Sequence, residues 1–296
     1  MIFFLKTLFD GNMEYGHFRN KQPGPHGGFL RVTYDILFSM KAQKAPLPSG
    51  IFFDMDGTLL QMNQSSEQTW LDVFTHFAPQ HQCAPEKLSQ IMNEVYTSYK
   101  QAIAGNEAKL LRDRLHPFEV RTETVEQVLR STGRPYAHLA EDMVRLYETL
   151  QEQHRQATPF ALEILHQLQK QHIPLALLTN GNATYQRRKI EQHHLALFFE
   201  YILIEEEFGR GKSYPHIYQA ALDHFHLQPQ ETWMIGDDLS FDVATPQQLG
   251  IFTFWFDPSG KGLPPQTSIH PDRIIRALPD VLQELRKSEV SPSPPS

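Results

Sequence analysis

Two aspartates with one residue between them, Asp54 and Asp56, follow directly on the apolar run Ile51-Phe52-Phe53. Three later apolar runs also give way to polar side chains. Pro174 to Leu178 ends in Thr179-Asn180-Gly181, and Thr232 to Ile235 ends in Gly236-Asp237-Asp238, with Asp242 shortly after. Tyr201 to Ile204 leads through a Glu-rich loop to Lys212. Brought together, these residues would supply several carboxylates, one hydroxyl and one ammonium. Crowded carboxylates repel, so they call for a cation between them, and hard oxygen ligands suit magnesium (Mg2+). A lysine and a threonine can then hold phosphate oxygens while the metal neutralises charge. A carboxylate can attack phosphorus and split one difficult transfer into two easier ones. A second carboxyl two residues on projects to the same side of an extended segment, where it can protonate the leaving oxygen and later activate water.

Those side chains need a scaffold that delivers them to one place. The pattern supplies strands at 51–53, 174–178, 201–204, 232–235 and 251–256. Helices are expected over 160–171, 183–194 and 215–226, with a short one from Phe241 and a closing helix over 271–287. Strands separated by one helix each predict an α/β fold with a parallel, doubly wound sheet. In such a sheet the site lies at the carboxyl ends of the strands, where the polar residues fall. Between about Gln64 and Gln153 no strand is expected. Four apolar stripes at helical spacing recur there, around Trp70 and Phe74, Leu88 and Val95, Val125 and Leu129, and Met143 and Tyr147.

The chain thus divides into an α/β core over 49–62 and 156–287, a helical cap over 63–155, and two ends. Residues 1–48 show no clear period and read as a poorly ordered N-terminal extension, with Met40 opening a more regular stretch. Residues 288–296 are Ser/Pro-rich and read as a disordered tail.

At this point the residues resemble a known family. Phe52-Phe53-Asp54-Met55-Asp56-Gly57-Thr58-Leu59 is similar to the first signature of the haloacid dehalogenase-like (HAD) phosphatases. Leu177-Leu178-Thr179-Asn180-Gly181 resembles their second, Lys212 within Gly209 to Pro215 their third, and Gly236-Asp237-Asp238 to Asp242 their fourth. The helical insertion after the first motif resembles the family's α-helical cap. The resemblance implies a magnesium-dependent phosphohydrolase acting on a small phosphorylated metabolite, with Asp54 as nucleophile and metal ligand. Asp56 becomes the general acid/base, its backbone carbonyl facing the metal. Thr179, Asn180 and Lys212 would bind the phosphoryl group, and Asp237 would be a direct ligand. Asp242 would act on the metal directly, through water, or by orienting Lys212. Asp238 is an acid of open role. Ser213 stands where the family often has proline, a change in loop stiffness rather than charge.

Composition excludes several other classes. A net charge of −7 argues against a nucleic-acid-coating surface. The single cysteine, Cys83, rules out an intramolecular disulfide or a cysteine metal cluster and fits a reducing, cytoplasmic setting. No apolar run approaches the roughly 20 residues that span a bilayer, so no membrane partner is expected. The histidines lack paired zinc spacing. Glu205-Glu206-Glu207 reads as a solvated acidic loop, whereas Lys109, Arg112 and Arg114 are either an anion-facing patch or a solvated helix face. A phosphosugar mutase of the same fold, or a catalytically silent binding protein, remains the alternative. A dehalogenase needs no metal and would not want Asp56, Asp237 or Asp242.

Overall fold

The structure, a computed structural model, describes residues 45–133 and 136–289. Its centre is a six-stranded sheet built from β1 (Gly50–Phe53), β4 (Leu175–Thr179), β5 (Tyr201–Ile204), β6 (Thr232–Gly236), β7 (Phe252–Phe256) and β8 (Arg273–Ile275). The order is β5-β4-β1-β6-β7-β8, and every neighbouring pair is parallel. A sheet buried on both faces needs strands that are apolar throughout, and β1, β4 and β6 are buried at every position. Alternate residues serve opposite faces. Ile51, Phe53, Leu175 and Leu177 pack in one apolar cluster, while Phe52, Ala176 and Leu178 pack in another. Because β1 has β4 on one side and β6 on the other, the chain leaves the sheet in opposite directions around it. The crevice at its carboxyl end is where a ligand fits in such sheets.

A second, two-stranded antiparallel ribbon joins β2 (Leu60–Met62) to β3 (Arg155–Ala157). The chain between these strands is a helical insertion. It comprises α1 (Ser66–His76), α2 (Pro85–Ile103), α3 (Glu107–Leu115), α4 (Pro117–Ser131) and α5 (Ala140–Gln153), with a single turn of helix over Ala78–His81. Ser65 caps α1 by accepting from the Gln68 amide, Asn106 caps α3 through Lys109, and Pro85 and Pro117 open α2 and α4, where a missing N–H costs nothing. These helices bury an apolar cluster of their own, including Trp70, Phe74, Leu88, Val128, Met143 and Tyr147. Within it the Trp70 and Tyr147 rings stack at 4.1 Å.

Completing the core are α6 (Ala161–Lys170), α7 (Ala183–Gln192), α8 (Glu205–Phe208), α9 (Pro215–Phe225) and α10 (Pro279–Glu289), with a π-helical turn over Leu239–Ala244. Three findings differ from the sequence expectations. The stretch 271–287 is not all helix, because Arg273–Ile275 pairs with β7 before α10 begins. The segment between β2 and β3 holds α3 beyond the four helices expected. That helix buries no residue, so it leaves no apolar stripe to read. The ribbon strands are three residues each, too short for alternation to register.

Of the expected N-terminal extension, residues 1–44 lie outside the described residues. Ala45 is buried, and the Pro46 carbonyl accepts a 3.0 Å bond from the Trp233 indole, so 45–48 pack on the core. At the other end Ser288 and Glu289 complete α10, and 290–296 lie outside the described residues.

Candidate active site

The carboxyl end of β1 opens on Asp54, 4% exposed. Its Oδ1 accepts a 2.5 Å bond from the Lys212 ammonium, which also donates to Asp242 Oδ1 at 2.7 Å. Asp237 follows the last residue of β6, and one carboxylate oxygen each from Asp54, Asp237 and Asp242 lie within 4.8 Å of one another. Two glycines make room for this approach. A Cβ on Gly57, whose φ is +90°, would lie 2.7 Å from the Asp237 carboxyl carbon, and one on Gly236 would lie 2.2 Å from that of Asp242. Both clashes involve buried carboxyls rather than flexible side-chain ends, so neither position tolerates a side chain.

Burial dominates the electrostatics here. It raises the Asp54 carboxyl above its ordinary value, reinforced by the like charge of Asp56 and opposed by Lys212. Asp242 is pushed up to about 7, first by burial and then by Asp54 and Asp238, again against the pull of Lys212. For Lys212 the balance reverses. Burial favours the neutral amine, but Asp242 and Asp54 outweigh it and hold the ammonium well above its usual range. The site is therefore rich in negative charge held out of water, with one buried cation among the acids.

Thr179 ends β4 and is buried, and its hydroxyl accepts a 2.6 Å bond from the Gln186 amide on α7. The Asn180 side-chain oxygen accepts from the Lys212 backbone N–H at 2.7 Å, tying the loop after β4 to the loop that carries the lysine. Asp56 lies two residues beyond Asp54. Its Oδ2 accepts from Gln186 at 2.9 Å and from the Lys189 ammonium at 2.7 Å. Burial alone would raise Asp56, yet Lys189 and Arg155 outweigh it and hold the carboxyl below its ordinary value. Every site residue expected from the sequence is thus in this neighbourhood. Gln186 and Lys189 were not among them.

Asp238 points elsewhere. Its Oδ1 accepts from the amides of Ser240 and Phe241 at 2.8 and 2.9 Å, capping the π-helical turn that carries Asp242. The Asp242 Oδ2 in turn accepts from the Asp238 N–H at 3.0 Å, so the turn and the Asp242 carboxyl fix each other. Ser213 is exposed and takes no part in this network.

The acidic run after β5 forms the short helix α8, with Glu206 and Glu207 exposed as expected and only Glu205 withdrawn from solvent. Glu205 is 2% exposed and receives the Arg114 guanidinium bidentately, with contacts of 2.7 to 3.1 Å, while accepting from the Gly181 N–H at 2.9 Å. Glu206 accepts from the Ala183 amide at 2.6 Å, and Glu207 pairs with Arg187. The basic patch on α3 splits accordingly. Arg114 reaches the core, Arg112 pairs with Glu123 at the surface, and Lys109 is exposed. Further bonds hold the helical segment to α7. Asn182 donates to the Leu115 carbonyl at 2.9 Å, Tyr185 to Glu148 at 2.6 Å, and Arg188 pairs with Glu152.

Do these residues suit a metal ion? The three converging ligands offer only carboxylate oxygen, and Asp54 Oδ2 is buried with no hydrogen-bond partner among the described residues. A hard divalent cation is the partner that such an oxygen set fits.

A parallel α/β enzyme with buried acids and one lysine at the switch point defines a hydrolase of a recognisable kind. The family model of haloacid dehalogenase-like hydrolases matches residues 48–250, and the chain belongs to that family. It is similar to the N-acylneuraminate-9-phosphatase of Rattus norvegicus, with 28% identity over 79% of this chain and 94% of the relative. Over a shorter span it is similar to the phosphoserine phosphatase of Thermus thermophilus, with 36% identity over 42% of this chain and 49% of that protein. Within the family the chain is a phosphatase-type enzyme. Among solved structures, the HAD-hydrolase YfnB of Bacillus subtilis bound to magnesium shares the fold at a TM-score of 0.59 and 20% identity, covering 82% of this chain and 99% of that one. A 2-haloacid dehalogenase of Pseudomonas syringae gives 0.56 and 21%, covering 80% and 97%. Among the described residues no helix is long and apolar enough to cross a membrane.

Proposed function

We propose that this protein is a magnesium-dependent phosphohydrolase that cleaves a small phosphate monoester through an aspartyl-phosphate on Asp54. The observation that carries this reading is the convergence of the Asp54, Asp237 and Asp242 oxygens within 4.8 Å beside the Lys212 ammonium. Asp54, Asp237 and Asp242, with the Asp56 carbonyl, would hold Mg2+. Bound there, the ion would neutralise charge on the phosphoryl oxygens and on the acids around it.

The remaining chemistry belongs to the chain. Asp54 attacks phosphorus as the bond to the leaving alcohol breaks, and Asp56 gives that oxygen its proton. Asp56 then takes a proton from the water that attacks the Asp54–phosphate, releasing inorganic phosphate and restoring the free acid. Lys212, Thr179 and Asn180 bind and orient the phosphoryl group. Lys212 is pre-oriented by two carboxylates, and Thr179 by Gln186. Residues 63–155 act as a cap that covers the substrate and carries its specificity.

The substrate is a small phosphorylated metabolite. N-acylneuraminate 9-phosphate is the first compound to try, because the relative acting on it aligns over 94% of its own length. The test is phosphate release, with magnesium and with excess chelator, across that compound, sugar phosphates, phosphoserine, phosphoglycolate and nucleotides. Magnesium-dependent release from at least one supports the proposal. Release unaffected by chelator, or none from any compound, overturns it.

A further inference from the structure

Neither the four strand-end motifs nor their chemistry accounts for the two side chains that hold Asp56. Gln186 and Lys189 are three residues apart on α7, a spacing that places them on one face of the helix. That face is turned to the site by the start of the helix, where Asn182 accepts from the Tyr185 amide at 3.2 Å and donates to the Leu115 carbonyl. Gln186 is 3% exposed, and its amide nitrogen lies 2.6 Å from Thr179 Oγ1, 2.8 Å from the Asn180 carbonyl and 2.9 Å from Asp56 Oδ2. Lys189 sends its ammonium to the same Asp56 oxygen at 2.7 Å. Both donors therefore engage Oδ2, and among the described residues no side chain donates to Oδ1. One oxygen of Asp56 is anchored, and the other is the one open to exchange a proton.

We propose that Lys189, aided by Gln186, is a positioning residue that fixes Asp56 through Oδ2 and so aims Oδ1 at the leaving oxygen. This rests on the phosphohydrolase reading above. In the transfer step the phosphorus–oxygen bond to the leaving group breaks, the Asp54–phosphorus bond forms, and the proton passes from Asp56 Oδ1 to the leaving oxygen. The transfer needs Oδ1 within hydrogen-bond reach of that oxygen, which holding Oδ2 secures. Two donors already in place keep the carboxyl aimed and need no rearrangement at that moment. Gln186 adds a link, since the same amide also touches Thr179 and so sets the acid and the phosphate-binding hydroxyl in one frame.

The effect should depend on how much the leaving oxygen needs a proton. An alkoxide needs one badly, whereas p-nitrophenolate is stable without it. The experiment compares wild type with Lys189→Met on two substrates, p-nitrophenyl phosphate and the alkyl phosphate that the wild type cleaves fastest in the panel above. The quantity read is kcat/KM, which reports the transfer to Asp54 and not the later hydrolysis common to both substrates. Lys189→Met should lower kcat/KM on the alkyl ester by about 100-fold, the lower end of what a general acid contributes, and on the nitrophenyl ester by less than about 5-fold. Equal losses on the two esters would mean a merely structural or binding role and would overturn the proposal, as would unchanged kinetics on both. Should Lys189→Met fail to fold by circular dichroism, Lys189→Gln keeps a donor without the charge and is judged by the same ratio. A wild type that cleaves no compound of the panel overturns the phosphohydrolase reading itself, a result distinct from either of these.

Discussion

Lys212→Met removes the one buried ammonium that faces both Asp54 and Asp242 while keeping most of the side chain's apolar length. Lys212 is 2% exposed, and its contacts of 2.5 and 2.7 Å lie among carboxyls that are themselves buried. Removing one partner of a buried ion pair costs roughly 3–5 kcal/mol, because the remaining charge is left out of water. Here two carboxylates lose their partner, with Asp237 close by. At about 2–4 °C per kcal/mol for a domain of this size, the variant should melt on the order of 10 °C below wild type when divalent metal is chelated. Magnesium should recover more stability in the variant than it adds to wild type. A more negative site binds the cation more tightly, and ligand binding stabilises by the logarithm of one plus the ratio of free ligand to Kd. Under the proposed mechanism catalysis should remain lost, because the metal does not replace the ammonium assigned there to the phosphoryl group.

The same experiment has a pH arm with a definite sign. Asp242 is held up to about 7 in the folded protein against an ordinary value of 3.8. A carboxyl raised in this way binds its proton more tightly when folded. It therefore contributes stability below its unfolded value that is lost as pH rises through the folded one. Metal-free wild type should lose stability as pH climbs from about 4 to about 7, the window set by those two values. In Lys212→Met the loss should continue to higher pH, since the cation that opposed the shift is gone. Thermal melts in chelator at several pH values measure both effects. A variant melting within a degree of wild type in chelator, at every pH, would refute the claim that these acids depend on Lys212.

Asp54→Asn should fold normally and lose at least about 1000-fold in turnover, since a neutral amide does not form an acyl phosphate; phosphate release by the folded variant checks this. Activity should need magnesium, with manganese or cobalt partly replacing it and calcium failing because its looser geometry misplaces the attacking carboxylate. Metal add-back after chelation reads that order, and full activity in calcium would contradict it. Arg114→Ala and Glu205→Gln should be strongly non-additive, with an interaction energy of about 1–3 kcal/mol in a double-mutant cycle by chemical denaturation. Additive effects would show that the bidentate contact between α3 and the loop after β5 carries no coupling.

Much of the core and the cluster of acids at its crevice was legible in the sequence because each strand bearing a candidate site residue is a short, wholly apolar run that stops abruptly at a polar one. That signal is local. Asp54, Thr179 and Asp237 each follow or end such a run, and four runs in order leave few folds that bring them together. What escaped depends on rotation about an element or on pairing between distant segments. Glu205, Glu206 and Glu207 look alike as letters, yet the short helix turns the first inward to Arg114 and Gly181 and the last outward to Arg187. β8 is three residues long and only partly buried, so neither alternation nor an apolar run marks it. Gln186 and Lys189 sit in a helix whose residues are mostly polar, where such side chains ordinarily face water. Their meaning comes from where α7 is placed, with its first turn locked between Glu206 of α8 and the end of α3. A Gln and a Lys at helical spacing say little alone. Set three residues apart just after a strand that ends in a buried threonine, they face the acid beyond the neighbouring strand, and that conjunction is what would find them in another sequence.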